Sequence, residues 1–570
     1  MLSFNTVKIP AMKTKNIVYL LALAIAGTFT ACKKNYLDIV PTDRVPSVAL
    51  LADSALFEDY VINRYMSIKL QDKEGEGTNP GFGRGFEYAM WSSVTDEAIY
   101  NNDDNTWLIQ RGLLAPENTG IAGTIWGRSY RSIRECNYGL ANIGKVAMSD
   151  QHRKILRSEL HFIRAFRYQD LIRNYGAVVL VNDTVYALEN NLTDASLFVK
   201  SSLADCIKYA AAELDSAALY LPQVNDGNWQ QGRATKGAAL ALKARLLLYA
   251  ASPLYNVGTW ADAAAAAKVV MDMGQYTISD NYSQLFISAA ASSKEIIFSR
   301  QYAIGARHVC LEISNGSNGY NGWGGNTPLQ NLVDAYEMNN GKVITDASSG
   351  YDETKPYANR DARFYATVLF NGASYRGSTL QIYTPGGKDS KDGPSNWNTT
   401  KTGYYLRKFM DDNNPIDNPW NIAGLQPWIY LRYAEVLLNY AEAQNEAVGP
   451  DATVYAAINQ IRQRSSVNQP ALVAGLSQTE MRDAIRRERQ VELAFEEHRF
   501  YDVRRWKIAA VTENVPAYGI DVQISGTDTV YTRKVALTGR LFDAGKNYFL
   551  PIPRTEIQAS NNQLAQTAGY

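Results

Sequence analysis

Long hydrophobic runs, cysteines, histidines and a charge of one sign are what this chain has least of. Its 570 residues hold 4 cysteines and 4 histidines. The histidines are scattered, and no CxxC or mixed Cys/His spacing suggests zinc. Lys+Arg and Asp+Glu are both 57, so the formal charge is zero. That excludes nucleic acid as the main partner, because phosphate binding needs a basic excess or stripe. There is no GxSxG, no GxxxxGK[ST], no HExxH and no GxGxxG after a strand; Gly81, Gly83 and Gly85 have the wrong spacing for a phosphate loop. Past the N-terminus no stretch reaches 18 unbroken apolar residues, so the mature chain is read as anchored, not spanning.

The N-terminus sets a compartment. Residues 1–31 read as a signal peptide: Lys13 and Lys15 supply the positive region, Ile17 to Ala26 a short apolar core, and Thr30-Ala31 the small residues before Cys32. Small residues directly before a cysteine look like a bacterial lipobox, with cleavage before Cys32 and lipidation of it. Cleavage removes Lys8, Lys13 and Lys15 and no acid, leaving a net charge of −3. Cys136, Cys206 and Cys310 then remain, an odd number that reads as buried free thiols with no disulfide framework; one pairing stays open. Residues 32–49 read as an extended tether, where Pro41 and Pro46 oppose helix.

What the chain has in quantity is helix pattern and wet aromatics. Apolar residues recur at helical spacing from Ile155, and residues 198–219, 235–251, 260–273, 429–447 and 452–464 form Ala- and Leu-rich helical segments broken by Pro222, Pro253, Gly274 and Gly449-Pro450. They pair as helix-turn-helix units of the tetratricopeptide kind. The expected fold is mainly α, a helical-repeat platform lying mainly within 128–300 and 428–510. Loop-rich excursions at 71–127 and 301–427 carry Gly, Asn, Asp, Tyr and Trp, a composition too aromatic for disorder. Alternation in 520–534 predicts short strands. Aromatics are weighted to 36 Tyr and 10 Trp against 17 Phe, which suits surfaces that are both sticky and wet.

Carboxylates fall inside apolar helical stripes. Ser477 to Glu480 reads as a capping box, and Glu488 and Glu492 lie on the stripe of Met481, Ile485, Val491 and Phe495. Glu435 and Glu442 lie likewise beside Ala434, Leu438 and Ala441. Paired acids serve glycosidases, but on regular helices they read as structural ion pairs, with Arg486, Arg487, Arg489, Arg499, Arg504 and Arg505 as the nearby supply.

Four blocks resemble the SusD/RagB family of outer-membrane lipoproteins of Bacteroidetes. They are Cys32 to Asp38 (CKKNYLD), Arg164 to Gly176 (RAFRYQDLIRNYG), Arg432 to Ala443 (RYAEVLLNYAEA) and Arg486 to Trp506 (RRERQVELAFEEHRFYDVRRW). Leu550 to Arg554 (LPIPR) and the terminal Gly569-Tyr570 agree. The resemblance covers the chain after Cys32. It implies one SusD-like domain over 50–570, in place of the four domains that length alone suggests. It also implies a surface-exposed, lipid-anchored, non-catalytic protein without cofactor or metal. Such a protein binds oligosaccharides and delivers them to a SusC-like TonB-dependent transporter, docked through the helical face.

A sugar binder needs flat aromatics beside amides and charges. Residues 91–107 and 318–328 offer them, and the expected ligand contacts are Trp107, Tyr320 and Trp323, supported by Asn101, Asn326 and Asp96; Trp397 is an outlying candidate. Trp91 and Trp126, near helical apolar pattern, are read as core. Peptide cargo, or a scaffold with no ligand of its own, are the competing readings. The Asp411-Asp412-Asn413-Asn414 stretch reads as a solvated turn, with calcium as its alternative.

Overall fold

The computed structural model describes residues 47–65, 90–102, 106–186, 191–287, 293–303, 311–414, 416 and 424–570. The signal segment, Cys32, nearly all of the tether, residues 66–89 and Cys310 lie outside them. No helix among the described residues is long and apolar enough to cross a membrane.

The fold is mainly helical. Its platform is a stack of helices: α1 (Ser54–Arg64), α2 (Ile125–Asn142), α3 (Asp150–Tyr175), α4 (Leu203–Ala218), α5 (Lys236–Ala251), α6 (Trp260–Asp272), α7 (Tyr433–Val448), α8 (Ala452–Arg462), α9 (Gln478–Glu492) and α10 (His498–Arg505). From α2 to α7 each helix packs on the next, and α7 meets both α8 and α9. Local chemistry starts these helices. Ser149, Ser202, Thr235, Thr259 and Asp451 each accept a backbone N–H at the start of α3, α4, α5, α6 and α8. Ser477 and Glu480 close a full capping box on α9. Alanines let the helices approach: Ala238, Ala239, Ala241 and Ala244 of α5 are buried, as are Ala263, Ala264 and Ala267 of α6. Trp91 and Trp126 are in the same core. Cys136 and Cys206 are free and buried, and burial raises both thiol pKa values.

Residues 429–432, expected at the start of a helix, are instead strand. β2 (Ile296–Arg300) pairs antiparallel with β6 (Trp428–Arg432). The run Trp-Ile-Tyr-Leu-Arg is buried almost throughout, as in a strand covered on both faces, and α7 begins only at Tyr433. The expected strands near 520–534 are one hairpin, β7 (Ala517–Ser525) with β8 (Asp528–Leu537), turned at Gly526 with φ +63°.

The partners α6 and α7 are separated in the chain by residues 273–432, so the second loop excursion is an insertion into one helix pair. Two pairs of short strands organise it. β1 (Ala98–Tyr100) pairs antiparallel with β3 (Asn326–Pro328), which joins the two excursions across more than 220 residues. β4 (Val368–Leu369) pairs with β5 (Tyr405–Leu406), over a small cluster of Leu369, Tyr375, Leu380, Ile382, Tyr405 and Met410.

Candidate ligand-binding face

The β1–β3 pair sets the geometry of the loops. Tyr100 opposes Asn326, so Asn101 and Asn102 leave β1 where Trp323, Gly324 and Gly325 enter β3. The Asn101 N–H donates to the Gly325 carbonyl at 2.7 Å, and the exposed Asn102 amide donates to the Trp323 carbonyl at 3.0 Å. A Cβ on Gly324, with φ +73°, would sit 2.6 Å from the Asn398 carbonyl oxygen, so only glycine lets the Trp323 loop lie against the Asn398 loop.

Trp397 stands on that second loop, and 77% of its surface is exposed, more than any other aromatic among the described residues. An indole left in water at that level, in a rigid loop, is a surface waiting for a flat apolar partner. Its loop is built to hold it. Ser395 takes φ +49°, and the carbonyls of Asn398 and Thr399 accept hydrogen bonds from the Asn101 side chain at 3.2 and 3.1 Å. Asn321, two residues before the half-buried Trp323, takes φ +62°. Each tryptophan therefore follows, by two residues, a non-glycine residue in the left-handed region, where such backbone costs on the order of 1 kcal/mol. The surrounding hydrogen bonds supply the compensation. Buried Asp389 accepts from the Ser317 hydroxyl and from the Gln381 N–H, and Asn318 donates to the Ser390 and Pro394 carbonyls.

Tyr320 is half-buried beside this face and its hydroxyl is engaged. It accepts from Lys388 Nζ at 2.9 Å, and the ammonium also lies 4.1 Å from the ring centroid. The ring packs edge-on to Tyr375 at 5.1 Å. Lys401 is exposed next to Asn101, donating its N–H to the Asn101 side-chain oxygen. The face thus combines an exposed indole, a second indole at its edge, a tyrosine edge, the exposed Asn102 side chain with its oxygen as acceptor, and two lysines.

Three expected ligand contacts are instead internal supports. Asp96 is buried, and Arg499 forks onto both its oxygens at 2.8 and 2.6 Å. Burial opposes its charge, but Arg499 outweighs burial and holds its pKa below the usual range. Asn326 is fully buried; its side-chain oxygen accepts from the Ser93 hydroxyl and the Met90 N–H, and its amide donates to Asn315. Asn101 is buried as described, clamping the loop of Trp397. Asp96 is a counter-ion for Arg499, and the two asparagines share another reason. Irregular loops packed this tightly have backbone groups with no ladder partner, and the buried Asn101 and Asn326 side chains satisfy them. Trp107 begins the short helix Trp107–Gln110 and packs on the platform core, with the Arg111 guanidinium 5.8 Å from its ring. The Asp411–Asn414 turn closes on itself: Asp411 accepts from the Asn413 N–H, and Asp412 from Arg376 and Arg407.

The buried glutamates hold the face in place from beneath. Glu492 accepts from Arg432 and Arg464, both at 2.8 Å, and from Arg363 at 2.9 Å. Burial raises its pKa, yet the three guanidiniums drive it far below the ordinary value. Glu488 takes Arg363 and Arg462, Glu435 takes Arg245, and Glu442 takes Arg505 and the Trp506 indole N–H. Of the six nearby arginines expected as partners, only Arg505 forms such a pair closely, with Arg489 at 3.7 Å from Glu442. The rest come from elsewhere. Arg363 belongs to the insertion, so Glu488 and Glu492 bolt the loops to α9. Beside Asp96, burial pushes the Glu97 carboxyl up to about 8.

Comparison with known proteins follows the same division of the chain. A family model described as "SusD family" matches residues 273–570, and one described as "Starch-binding associating with outer membrane" matches residues 36–248. Among curated proteins, SusD-like protein P2 of Formosa agariphila is 25% identical over 469 residues, 80% of this chain and 82% of the relative. A SusD-like protein structure from Bacteroides fragilis superposes with a TM-score of 0.76 at 29% identity, covering 93% of this chain and all of that one. A second Bacteroides fragilis structure, titled a SusD-like carbohydrate binding protein, gives 0.75 at 26% identity over 90% of this chain and 99% of its own. With the stacked helices, the insertion between α6 and α7 and more than half of its length matched by the family model, the chain belongs to the SusD family.

Proposed function

We propose that this protein is a non-catalytic outer-membrane lipoprotein that binds glycans on the face formed by Trp397, Trp323 and Asn102. The observation that carries the reading is Trp397: an indole 77% exposed on a loop that three hydrogen bonds through Asn101 hold rigid. Pyranose rings offer C–H faces to such an indole, and Asn102, Lys401 and Lys388 offer partners to the hydroxyls around them. The family description "starch-binding associating with outer membrane" and the carbohydrate-binding relative support the class of ligand. The paired glutamates are structural charges, already neutralised by arginine.

Lipidation at Cys32 anchors the chain at the cell surface in this reading. The α2–α9 platform docks a SusC-like TonB-dependent barrel, leaving the loop face to load cargo. The test is a glycan array followed by titration calorimetry on the chain from residue 33 onward. Covering about 80 Å² of indole face at about 25 cal/mol/Å² contributes about 2 kcal/mol. Trp397→Ala is therefore expected to weaken the best glycan about thirtyfold with no change in melting temperature. Wild-type affinity in Trp397→Ala would refute the assignment, and an empty array with tight binding to peptides would refute the glycan class.

A further inference from the structure

Away from the loop face, α6, α7 and α9 enclose a cleft of about 340 Å³ that shares no residue with it. This volume holds a small ligand and not a folded element. Its apolar side is the half-exposed Trp260 with Ile485 and Pro253. Its charged side is matched in every place but one. Arg482 forks onto Glu446, with both N···O distances at 2.6 Å. Glu442 is held by Arg505 and by the indole N–H of Trp506. Arg486 has no carboxylate. Its guanidinium lies 4.8 Å from the Trp506 ring centroid, and its buried Nε has no hydrogen-bond partner. Burial disfavours its charge, and the nearby Arg505 and Arg482 work against it while Glu442 and Glu446, each already paired, only partly offset them. A half-buried guanidinium with no carboxylate of its own, at a cleft whose acids are already neutralised, is short of one anion.

We infer that this cleft is a second ligand site, which takes one acidic sugar residue, its carboxylate against Arg486 and its C–H face against Trp260. The site is distinct from the loop face; that its ligand is a sugar rests on the reading of the chain as a glycan binder. The charge balance sets the specificity, since a neutral sugar would leave the Arg486 charge without a counter-ion, while a doubly charged group would bring a second anion close to Glu442 and Glu446.

Titration calorimetry on the full mature chain tests this, using an oligosaccharide that ends in glucuronic acid and its neutral counterpart that ends in glucose. The wild type is expected to bind the acidic ligand more tightly. Arg486→Gln should weaken that ligand about tenfold or more and leave the neutral one unchanged. Trp260→Ala, at a half-exposed position that tolerates truncation, should weaken the acidic ligand comparably and serves if Arg486→Gln unfolds. Trp397→Ala should weaken neutral binding about thirtyfold and leave the Arg486-dependent binding intact. Loss of neutral binding in the wild type with Arg486-dependent uronate binding preserved would sink the loop-face assignment and keep this site. Equal affinity for the two ligands, acidic binding indifferent to both cleft variants, or an Arg486-dependent preference for acidic peptides over the uronate would overturn it.

Discussion

Glu492→Gln removes one negative charge from the buried centre of the molecule and keeps the shape of the side chain. In the wild type one oxygen of Glu492 accepts from Arg432 and Arg464, and the other accepts from Arg363. A glutamine has one acceptor oxygen and one amide NH2, so that NH2 must face an arginine donor on one side or the other. Removing one partner of a buried ion pair costs about 3–5 kcal/mol. Here the cost belongs at the lower end, about 3 kcal/mol, because Glu295 and Glu496 still face Arg432, and Asp361 and Glu488 still face Arg363. Urea unfolding followed by tryptophan fluorescence at pH 7 gives the comparison, with Glu480→Gln in the exposed capping box of α9 as a control expected to shift the midpoint far less. The loss should depend on pH in a definite direction. A carboxylate whose folded-state pKa is depressed stabilises the fold above its unfolded value, near 4.5, and that stabilisation disappears as pH falls through the folded value. The gap between wild type and Glu492→Gln should therefore be full at pH 7 and narrow below about pH 4.5. A deficit under about 1 kcal/mol at pH 7, or one unchanged in acid, would show that Glu492 is not the charge that holds these arginines.

Glu97 titrates with the opposite sign. Burial raises its folded-state pKa to about 8, so the wild type loses stability as pH climbs from 4.5 towards 8. Glu97→Gln should exceed the wild type by more than about 1 kcal/mol at pH 8 and match it near pH 5, measured as urea midpoints; parallel pH profiles would refute this. Asn101→Ala removes three hydrogen bonds that restrain the Trp397 loop. It should weaken glycan binding about tenfold while speeding limited proteolysis near residues 395–401, and unaltered proteolysis would count against a clamping role. Gly324→Ala places a Cβ against the Asn398 carbonyl and should disrupt the same loop with little effect on platform unfolding, read as lost glycan binding at a nearly wild-type melting temperature.

What could be read from the sequence was local. The caps at Thr235, Thr259 and Ser477 lie within three residues of the groups they satisfy, so a short window contains the whole interaction. Glu488 and Glu492 were conspicuous because carboxylates on an apolar stripe demand partners. Those partners, Arg363, Arg432, Arg462 and Arg464, lie 26 to 129 residues away, and nothing in the spacing points to them. The site was legible as composition and not as orientation. Asn101, Asn326 and Trp397 sit in equally polar stretches, yet packing turns the two amides inward to satisfy loop carbonyls and amides and leaves the indole in water. The signal that ranks Trp397 above Trp107 is the β1–β3 pairing, and three-residue strands leave almost no periodicity to detect.

The insertion between α6 and α7 has a consequence in time. Helices α2 to α5 follow one another closely, so their contacts close over short loops as the chain emerges. The far face of α6 has to wait for α7, and closing that loop requires residues 273–432 to be present and collapsed. Until then α6 exposes apolar surface next to a half-formed loop domain. The completion of the α6–α7 pair, the bolting of Arg363 to α9 and the fixing of Trp397 should therefore occur as one late event, and a chain interrupted before residue 433 would carry a finished first half and no binding face at all.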